Sequence, residues 1–230
     1  MDERYVFLDL ETTGLKYEEG CRIIEIGCCE VIEGIATGNN LQIYINPGDA
    51  KWDKEAIAIH GLTSEFLADK PTFPEVASLV LDFINGAVLV GHSIKIFDRP
   101  FLNLELLQWQ YPPLSNKVID TYEIAREKFP NQKNSLDALC DRYNINRRHR
   151  TLHGALLDAK LLAAVYQRLV PMKAFTFDDL LKKEDILEKI PKMKELVLRK
   201  TLSYNLITPL EEEEHNKFIK HHGCKPSNFL

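Results

Sequence analysis

The chain lacks several features that would assign it to common classes of protein. No apolar run approaches the roughly 18 residues needed to span a bilayer, so no membrane span is predicted. The five cysteines form no CxxC pair, which argues against a cysteine-bound metal and favours a reducing compartment. The stretch after Met1 has no basic region, apolar segment and cleavage site, so we expect a cytoplasmic protein without a membrane partner.

A surplus of basic residues is also missing. The formal net charge is −5 at pH 7, whereas proteins that bind nucleic acid through a basic surface carry positive patches. Bound cations can reverse the sign of an acidic cleft. The negative net charge therefore excludes only a nucleic-acid interface that works without bound cations. At 230 residues the chain has room for one domain with a substantial core and an appendage.

The stretch Tyr5 to Gly14, with the sequence YVFLDLETTG, is the clearest chemical signal. Its apolar start predicts a buried strand. Because strand side chains alternate, Asp9 and Glu11 share one face. Two adjacent carboxylates repel each other, and such a pair typically holds a hard divalent cation. A strand that ends in solvated acids would show the same pattern, so the pair alone leaves both interpretations open.

Periodicity and turn signals predict an α/β fold. Turn residues at 34–40 and 46–48 separate strands at 22–31 and 40–46, which complete an antiparallel meander. Apolar runs at 87–91 and 117–119 predict two further strands. Helices are predicted at 53–59, 74–84 (with Val76, Leu79, Val80 and Phe83 buried), 98–109, 121–129, 135–143 and 153–169. The result is a mixed sheet of antiparallel and parallel strands, flanked by helices, with the acid-bearing strand in its centre.

Two further acids and a histidine lie on predicted helices. Asp98 opens a helix, where a carboxylate is also an ordinary N-cap, and Asp158 lies among leucines, where an acid needs a partner. Five helical residues separate His153 from Asp158, a rotation of roughly 500° that places the side chains about 140° apart. We therefore expect that they do not bind one metal as neighbours. His153 would lie at a flexible helix start and reach a substrate, while Asp158 faces the metals.

Together these residues form a set of four carboxylates and one titratable base: Asp9, Glu11, Asp98, Asp158 and His153. Two cations about 4 Å apart, held by such acids, can clamp the attacking and leaving oxygens of a phosphoryl displacement. A histidine with a pKa near 6.5 is suited to deprotonating the attacking water. The chemistry predicted from the residues is phosphodiester hydrolysis.

The sequence resembles the DEDDh exonucleases of the ribonuclease H-like superfamily. Their first motif is matched by DLETTG at 9–14 and their third by HGALLDA at 153–159. Stretches between the motifs also match, at 23–27 (IIEIG), 37–40 (TGNN), 60–73 and 134–145 (NSLDALCDRYNI). The resemblance covers residues 4–170 and is closest to the proofreading subunits of bacterial replicative DNA polymerases.

This resemblance implies a ribonuclease H-like fold and a role for each motif residue. Asp9, Glu11, Asp98 and Asp158 would hold two Mg²⁺ or Mn²⁺ ions, and His153 would be the general base. Water would attack the terminal phosphodiester at the 3′ end of a DNA strand and release a nucleoside monophosphate. The residues implied to bind substrate are Asp9, Glu11, Thr12, His60 and Asp158, although an ordinary helix-end histidine explains His60 equally well.

The second motif departs from the family pattern H-N-x-x-F-D. The segment from His92 to Asp98 is one residue longer, with Ser93 in place of Asn and an extra residue such as Ile96. We expect a strand bulge to absorb the insertion, because Asp98 would otherwise rotate out of place. Farther along, the basic run 147–150 is either a solvated face or a DNA contact.

Composition changes after Pro171, which predicts an exonuclease domain at 1–170, a linker at 171–200 and a polymerase-docking segment at 201–230. A capping box at 208–211 indicates a short helix that needs a docking partner. The resemblance implies that this segment binds the polymerase alpha subunit, and it suggests a sliding clamp (through 172–175) and a small accessory subunit as further partners. The alternatives are an RNA-trimming exonuclease of ribonuclease T type and a polymerase scaffold with weakened catalysis.

Overall fold

One five-stranded mixed sheet organises the molecule. The computed structural model describes residues 4–147 and 152–170, and the strand order is β3-β2-β1-β4-β5. The strands are β1 (Arg4–Thr12), β2 (Ile23–Ile32), β3 (Ile35–Tyr44), β4 (Val88–Gly91) and β5 (Val118–Asp120). The first three are antiparallel, whereas β4 and β5 continue the sheet in parallel with β1. The predicted fold class, with β1 in the centre, is confirmed.

Helices cover both faces of this sheet. Within the described residues they are α1 (Lys54–His60), α2 (Ser64–Leu67), α3 (Phe73–Ile84), α4 (Asp98–Gln108), α5 (Thr121–Lys128), α6 (Leu136–Arg142) and α7 (Ala155–Leu169). The short α2 was not predicted. Of the helices at 4–147 and 152–170, none has the length and apolar character needed to cross a membrane.

The alternation of side chains along β1 divides the core into two layers. Even-numbered residues such as Leu8 pack with α3 and α4, whereas Phe7 packs on the opposite face against α7 residues Leu162 and Tyr166. The segment 5–8 is apolar on both faces because helices cover the sheet on each side. Asp9 and Glu11 continue the odd-numbered face, so β1 directs both carboxylates toward the α7 side of the sheet.

The turn between β2 and β3 differs from the prediction. It consists of Glu33 and Gly34, both with positive φ, so the turn predicted at 34–40 is wrong. Residues 35–40 instead form the exposed first half of the edge strand β3. A strand at the solvated edge of a sheet does not require alternating apolar residues. The polar residues at 35–40 therefore have a pattern similar to that of a turn.

Two helix details also differ. Leu79, predicted on the buried face of α3, is 54% exposed, because Val76, Val80 and Ile84 supply the contacts with the core. The last helix begins at Ala155, with Gly154 as an extended N-cap residue. His153 therefore precedes the helix.

A glycine in β2 allows the start of α7 to reach the sheet. A Cβ atom on Gly27 would lie 2.1 Å from the carbonyl carbon of Ala155 and from the nitrogen of Leu156. Gly27 pairs with Asp9 in the β1–β2 ladder. The close approach therefore places the start of α7 beside the acids of β1.

Replacing Gly27 with alanine is expected to lower the free energy of unfolding by about 3 kcal/mol, because backbone atoms occupy the space of the added methyl group. The matched control is Gly38→Ala in β3, where a Cβ meets nothing within 4 Å but φ is +82°. That strain is expected to cost about 1 kcal/mol. Urea denaturation measures both, and equal losses would contradict the packing argument.

Candidate active site

Acids from β1 and α7 converge at the end of β1. Glu11, His153 and Asp158 each present one ligand atom, and the three atoms lie within 4.8 Å of one another. Both carboxylates are buried. Carboxylate oxygens and an imidazole nitrogen suit a divalent cation such as Mn²⁺, and such an ion would also offset the repulsion between the acids. The donor set therefore fits a metal ion.

His153 and Asp158 are in contact, contrary to the prediction. The Nδ1 atom of His153 lies 3.2 Å from Oδ2 of Asp158. The rotation argument failed because His153 is not helical: it precedes Gly154, and its side chain turns back over the first turn of α7. Its backbone N–H donates to the carbonyl of Ile59 at 3.1 Å, which ties this segment to α1. The His153 side chain is 42% exposed.

Asp98 approaches the same strand end from the start of α4. Burial raises the pKa of Asp98 to about 7, while backbone N–H groups of Asp98 and Leu10 partly oppose the rise. Leu10 lies between Asp9 and Glu11 in β1. Burial also raises the pKa of the Cys28 thiol, and the carboxylates of Asp9 and Asp98 contribute to that rise. Both acids therefore lie near the same buried atom.

The two remaining predicted substrate residues border a cavity. Thr12 donates its hydroxyl hydrogen to the carbonyl of Gly14 at 2.7 Å. His60 is buried at the end of α1, where its Nδ1 accepts from the N–H of Leu62 at 3.0 Å, and burial lowers its pKa. The cavity measures about 400 Å³, and its wall includes Leu10, Glu11, Thr12, Leu15, Ile59, His60 and Phe97.

Glu25 is a buried acid that the sequence analysis did not assign. It pairs with Glu11 in the β1–β2 ladder and is 1% exposed. Its Oε2 accepts from the N–H of Ala155 at 3.2 Å, and its Oε1 accepts from Nε2 of Gln42 at 2.8 Å. Burial raises the pKa of Glu25, and these hydrogen bonds counteract the rise. Glu25 thus supplies the acceptor that Gly154 lacks as the N-cap of α7.

One signal could have identified Glu25. It is the charged residue of the otherwise apolar segment IIEIG at 23–27, and a charge in a buried strand requires a partner.

The predicted basic run is only partly described. Arg147 donates two hydrogen bonds from Nη2 to the carboxylate of Asp141, both at 2.9 Å, so this guanidinium is held against α6. Residues 148–150, the predicted linker at 171–200 and the predicted docking segment at 201–230 lie outside the described residues.

Several known proteins are similar to this chain in sequence and in fold. A family profile described as Exonuclease (RNase_T) matches residues 6–166. The DNA polymerase III subunit epsilon of Escherichia coli is 49% identical over 171 residues, which cover 71% of this chain and 70% of the relative. The subunit epsilon of Buchnera aphidicola subsp. Baizongia pistaciae is 40% identical, over 95% of this chain and 92% of the relative. A solved Exonuclease X in complex with 5′ overhanging duplex DNA gives a TM-score of 0.57 at 28% identity, covering 76% of this chain and 95% of that chain.

The fold and the acid cluster define a nuclease of the ribonuclease H-like class, and the chain belongs to the exonuclease family. Within that family the two relatives described above are named DNA polymerase III subunit epsilon. The resemblance identified from the motifs is thereby confirmed. Exonucleases of this family depend on divalent metal ions.

Removing the Glu25 side chain is expected to destabilise the start of α7. Glu25→Ala leaves the N–H of Ala155 without its acceptor and removes one of the two acceptors of the Gln42 amide, at a cost of about 1–3 kcal/mol in the free energy of unfolding. Glu127→Ala, which removes an exposed acid from α5, is the matched control and is expected to change little. Denaturant unfolding compares them, and equal stabilities would refute the capping role.

Replacing Asp98 with asparagine is expected to stabilise the metal-free protein at pH 8. Because the pKa of Asp98 rises from 3.8 to about 7 on folding, its ionisation costs the wild type stability progressively between about pH 4 and pH 7. Asparagine avoids this cost, so the free energy of unfolding in EDTA should rise by about 2–4 kcal/mol.

Metal addition gives the second half of this test. Mn²⁺ should raise the Tm of the wild type by binding the native state and should raise that of Asp98→Asn much less. Asp82→Asn, an exposed change on α3, should respond like the wild type. An Asp98→Asn protein that is less stable than the wild type in EDTA at pH 8 would contradict the burial argument.

Proposed function

We propose that this protein is the 3′→5′ proofreading exonuclease subunit of a bacterial replicative DNA polymerase. The observation that carries the proposal is the cluster of the buried acids Glu11 and Asp158 with the half-exposed His153 at the end of β1. Relatives named DNA polymerase III subunit epsilon support the assignment to proofreading.

Four acids would hold the cofactors, which we propose are two Mg²⁺ or Mn²⁺ ions. Asp9 and Glu11 reach the site from β1, Asp98 from α4 and Asp158 from α7. When bound, such cations stabilise negative charge on the reacting phosphate and increase the acidity of water. The protein contributes a rigid arrangement of oxygen donors, because each acid is fixed to a strand or helix.

His153 is proposed as the general base. The carboxylate of Asp158, 3.2 Å from Nδ1, would orient the imidazole. The partial exposure of the ring leaves it accessible to water at the open side of the site. His153 would take the proton of the water that attacks the terminal phosphodiester, and a nucleoside monophosphate would leave.

The cavity beside the acids would accept the terminal nucleotide. Its apolar wall, which includes Leu15, Ile59 and Phe97, can pack against any base without contacting hydrogen-bonding edges. Such contacts carry no sequence information, as a proofreading enzyme requires. Thr12 and His60 belong to the same wall, which supports their assignment to substrate binding.

The partners follow from the relatives and from the sequence of the tail. The Buchnera relative aligns with 95% of the chain, which includes most of 171–230. We propose that 201–230 binds the polymerase alpha subunit and that the protein acts in the bacterial cytoplasm at the replication fork. Binding to a sliding clamp and to a small accessory subunit is a prediction from resemblance alone.

The purified full-length protein is expected to shorten 5′-labelled single-stranded DNA from its 3′ end with Mg²⁺ or Mn²⁺, and EDTA should stop the reaction. Asp9→Ala should lower the rate by about 10³-fold or more, because losing a ligand removes several kcal/mol of charge stabilisation. Asp82→Ala, an exposed change on α3, should leave the rate unchanged.

The same assay on RNA separates the alternatives. Degradation of RNA alone would favour the RNA-trimming enzyme. No degradation of either nucleic acid, with polymerase binding intact, would favour the scaffold.

A further inference from the structure

The loop 92–97 connects β4 to Asp98 and contains the additional residue of the second motif. The predicted strand bulge is wrong, because β4 pairs in continuous register with both β1 and β5. The insertion is accommodated in a turn beyond the strand. Ser93 has a φ of +67°, and its carbonyl accepts from the N–H groups of Ile96 at 3.1 Å and Phe97 at 3.0 Å. Ile96 projects outward and is 77% exposed.

The carboxylate of Asp120 holds this turn. Its Oδ1 accepts from the N–H of Ser93 at 2.9 Å, and its Oδ2 accepts from the N–H of Lys95 at 3.2 Å. The N–H of Tyr122 donates to Oδ1 at 3.0 Å. Asp120 is 5% exposed, and it pairs with Gly91 at the end of β4. The sheet therefore fixes the carboxylate against which the loop folds.

Two further contacts anchor the loop. Ile94 is fully buried and packs on Gly91, where a Cβ would lie 2.4 Å from the Cβ of Ile94. The carbonyl of Ile94 accepts from the N–H of Arg99 at 3.0 Å. A short path of bonds thus runs from Asp120, through the backbone on both sides of Ile94, to the residue that follows Asp98.

The hydrogen bonds of Asp120 distinguish positioning from metal binding. A carboxylate has about four acceptor positions, and three backbone N–H groups already occupy most of those of Asp120. These charge-assisted bonds also stabilise a non-glycine residue with positive φ, a conformation that costs of order 1 kcal/mol or more. A loop without this acceptor would lose the contacts that set the direction of Asp98.

We propose that Asp120 is a positioning residue that orients Asp98 for metal binding by holding the inserted turn. The proposal rests on the proposed function, since it takes Asp98 as a metal ligand. Loss of a group that orients a ligand typically lowers metal affinity or activity by about 10- to 100-fold. Removal of Asp120 should therefore raise the metal requirement and leave DNA binding unchanged.

The experiment measures the Mn²⁺ dependence of exonuclease activity in the full-length protein. For Asp120→Ala the Mn²⁺ concentration at half-maximal rate should rise about 10-fold or more, with saturating Mn²⁺ restoring part of the rate and KM for DNA unchanged. Asp120→Asn keeps one acceptor oxygen and should show a smaller rise. If Asp120→Ala does not fold, the Mn²⁺ dependence of Asp120→Asn alone tests the positioning role.

The matched control is Glu123→Ala. Glu123 forms an exposed ion pair with Lys95 of the same loop, so this change touches the loop without removing its buried acceptor. Its Mn²⁺ dependence should equal that of the wild type. Thermal unfolding in EDTA, run in parallel, separates a general loss of stability from a change in metal requirement.

The outcomes separate the two proposals. Wild-type protein that degrades no DNA at any metal concentration would overturn the proposed function. An active wild type together with an unchanged half-maximal Mn²⁺ concentration in the Asp120 variants would overturn the positioning role alone. A rise confined to the Asp120 variants supports it.

Discussion

The burial of acidic groups at one strand end is the constraint on which the architecture of the site depends. Glu11, Asp98 and Asp158 are all buried, and the rise of the Asp98 pKa to about 7 records the cost of holding a charge there. Flexible acids would turn toward solvent to reduce that cost. Here each carboxylate is attached to a strand or helix fixed by the core, so the fold maintains an arrangement whose cost falls when an acid is protonated or a cation binds.

The start of α7 is the second element of this arrangement. It lies directly on Gly27, its first N–H group donates to Glu25, and the backbone N–H of the preceding His153 donates to the carbonyl of Ile59. His153 and Asp158 are thereby positioned by one docked helix terminus. The turn held by Asp120 orients Asp98 in a similar way, because in both places a buried carboxylate from the sheet binds backbone N–H groups of the segment that carries a site residue.

Local patterns predicted much of the fold, and contacts between distant residues explain what they missed. Alternation along β1 correctly placed Asp9 and Glu11 on one face, and helical periodicity located most helices within a few residues. The predicted separation of the His153 and Asp158 side chains was wrong because it treated both residues as helical. Glu25 and Asp120 went unassigned because their partners lie 130 and 27 residues away, beyond any local pattern. The bulge was wrong because a turn outside the strand accommodates an insertion without breaking the ladder.

The order of the site residues along the chain has a consequence for synthesis of the protein. The first acids are made within a dozen residues of Met1, but Asp158 and His153 reach the cluster only when α7, the last helix of the described residues, docks on β2. Because this contact joins residues about 130 positions apart, it forms late during translation. Until α7 has been synthesised and has docked, a nascent chain therefore lacks the contact that brings His153 and Asp158 to Glu11.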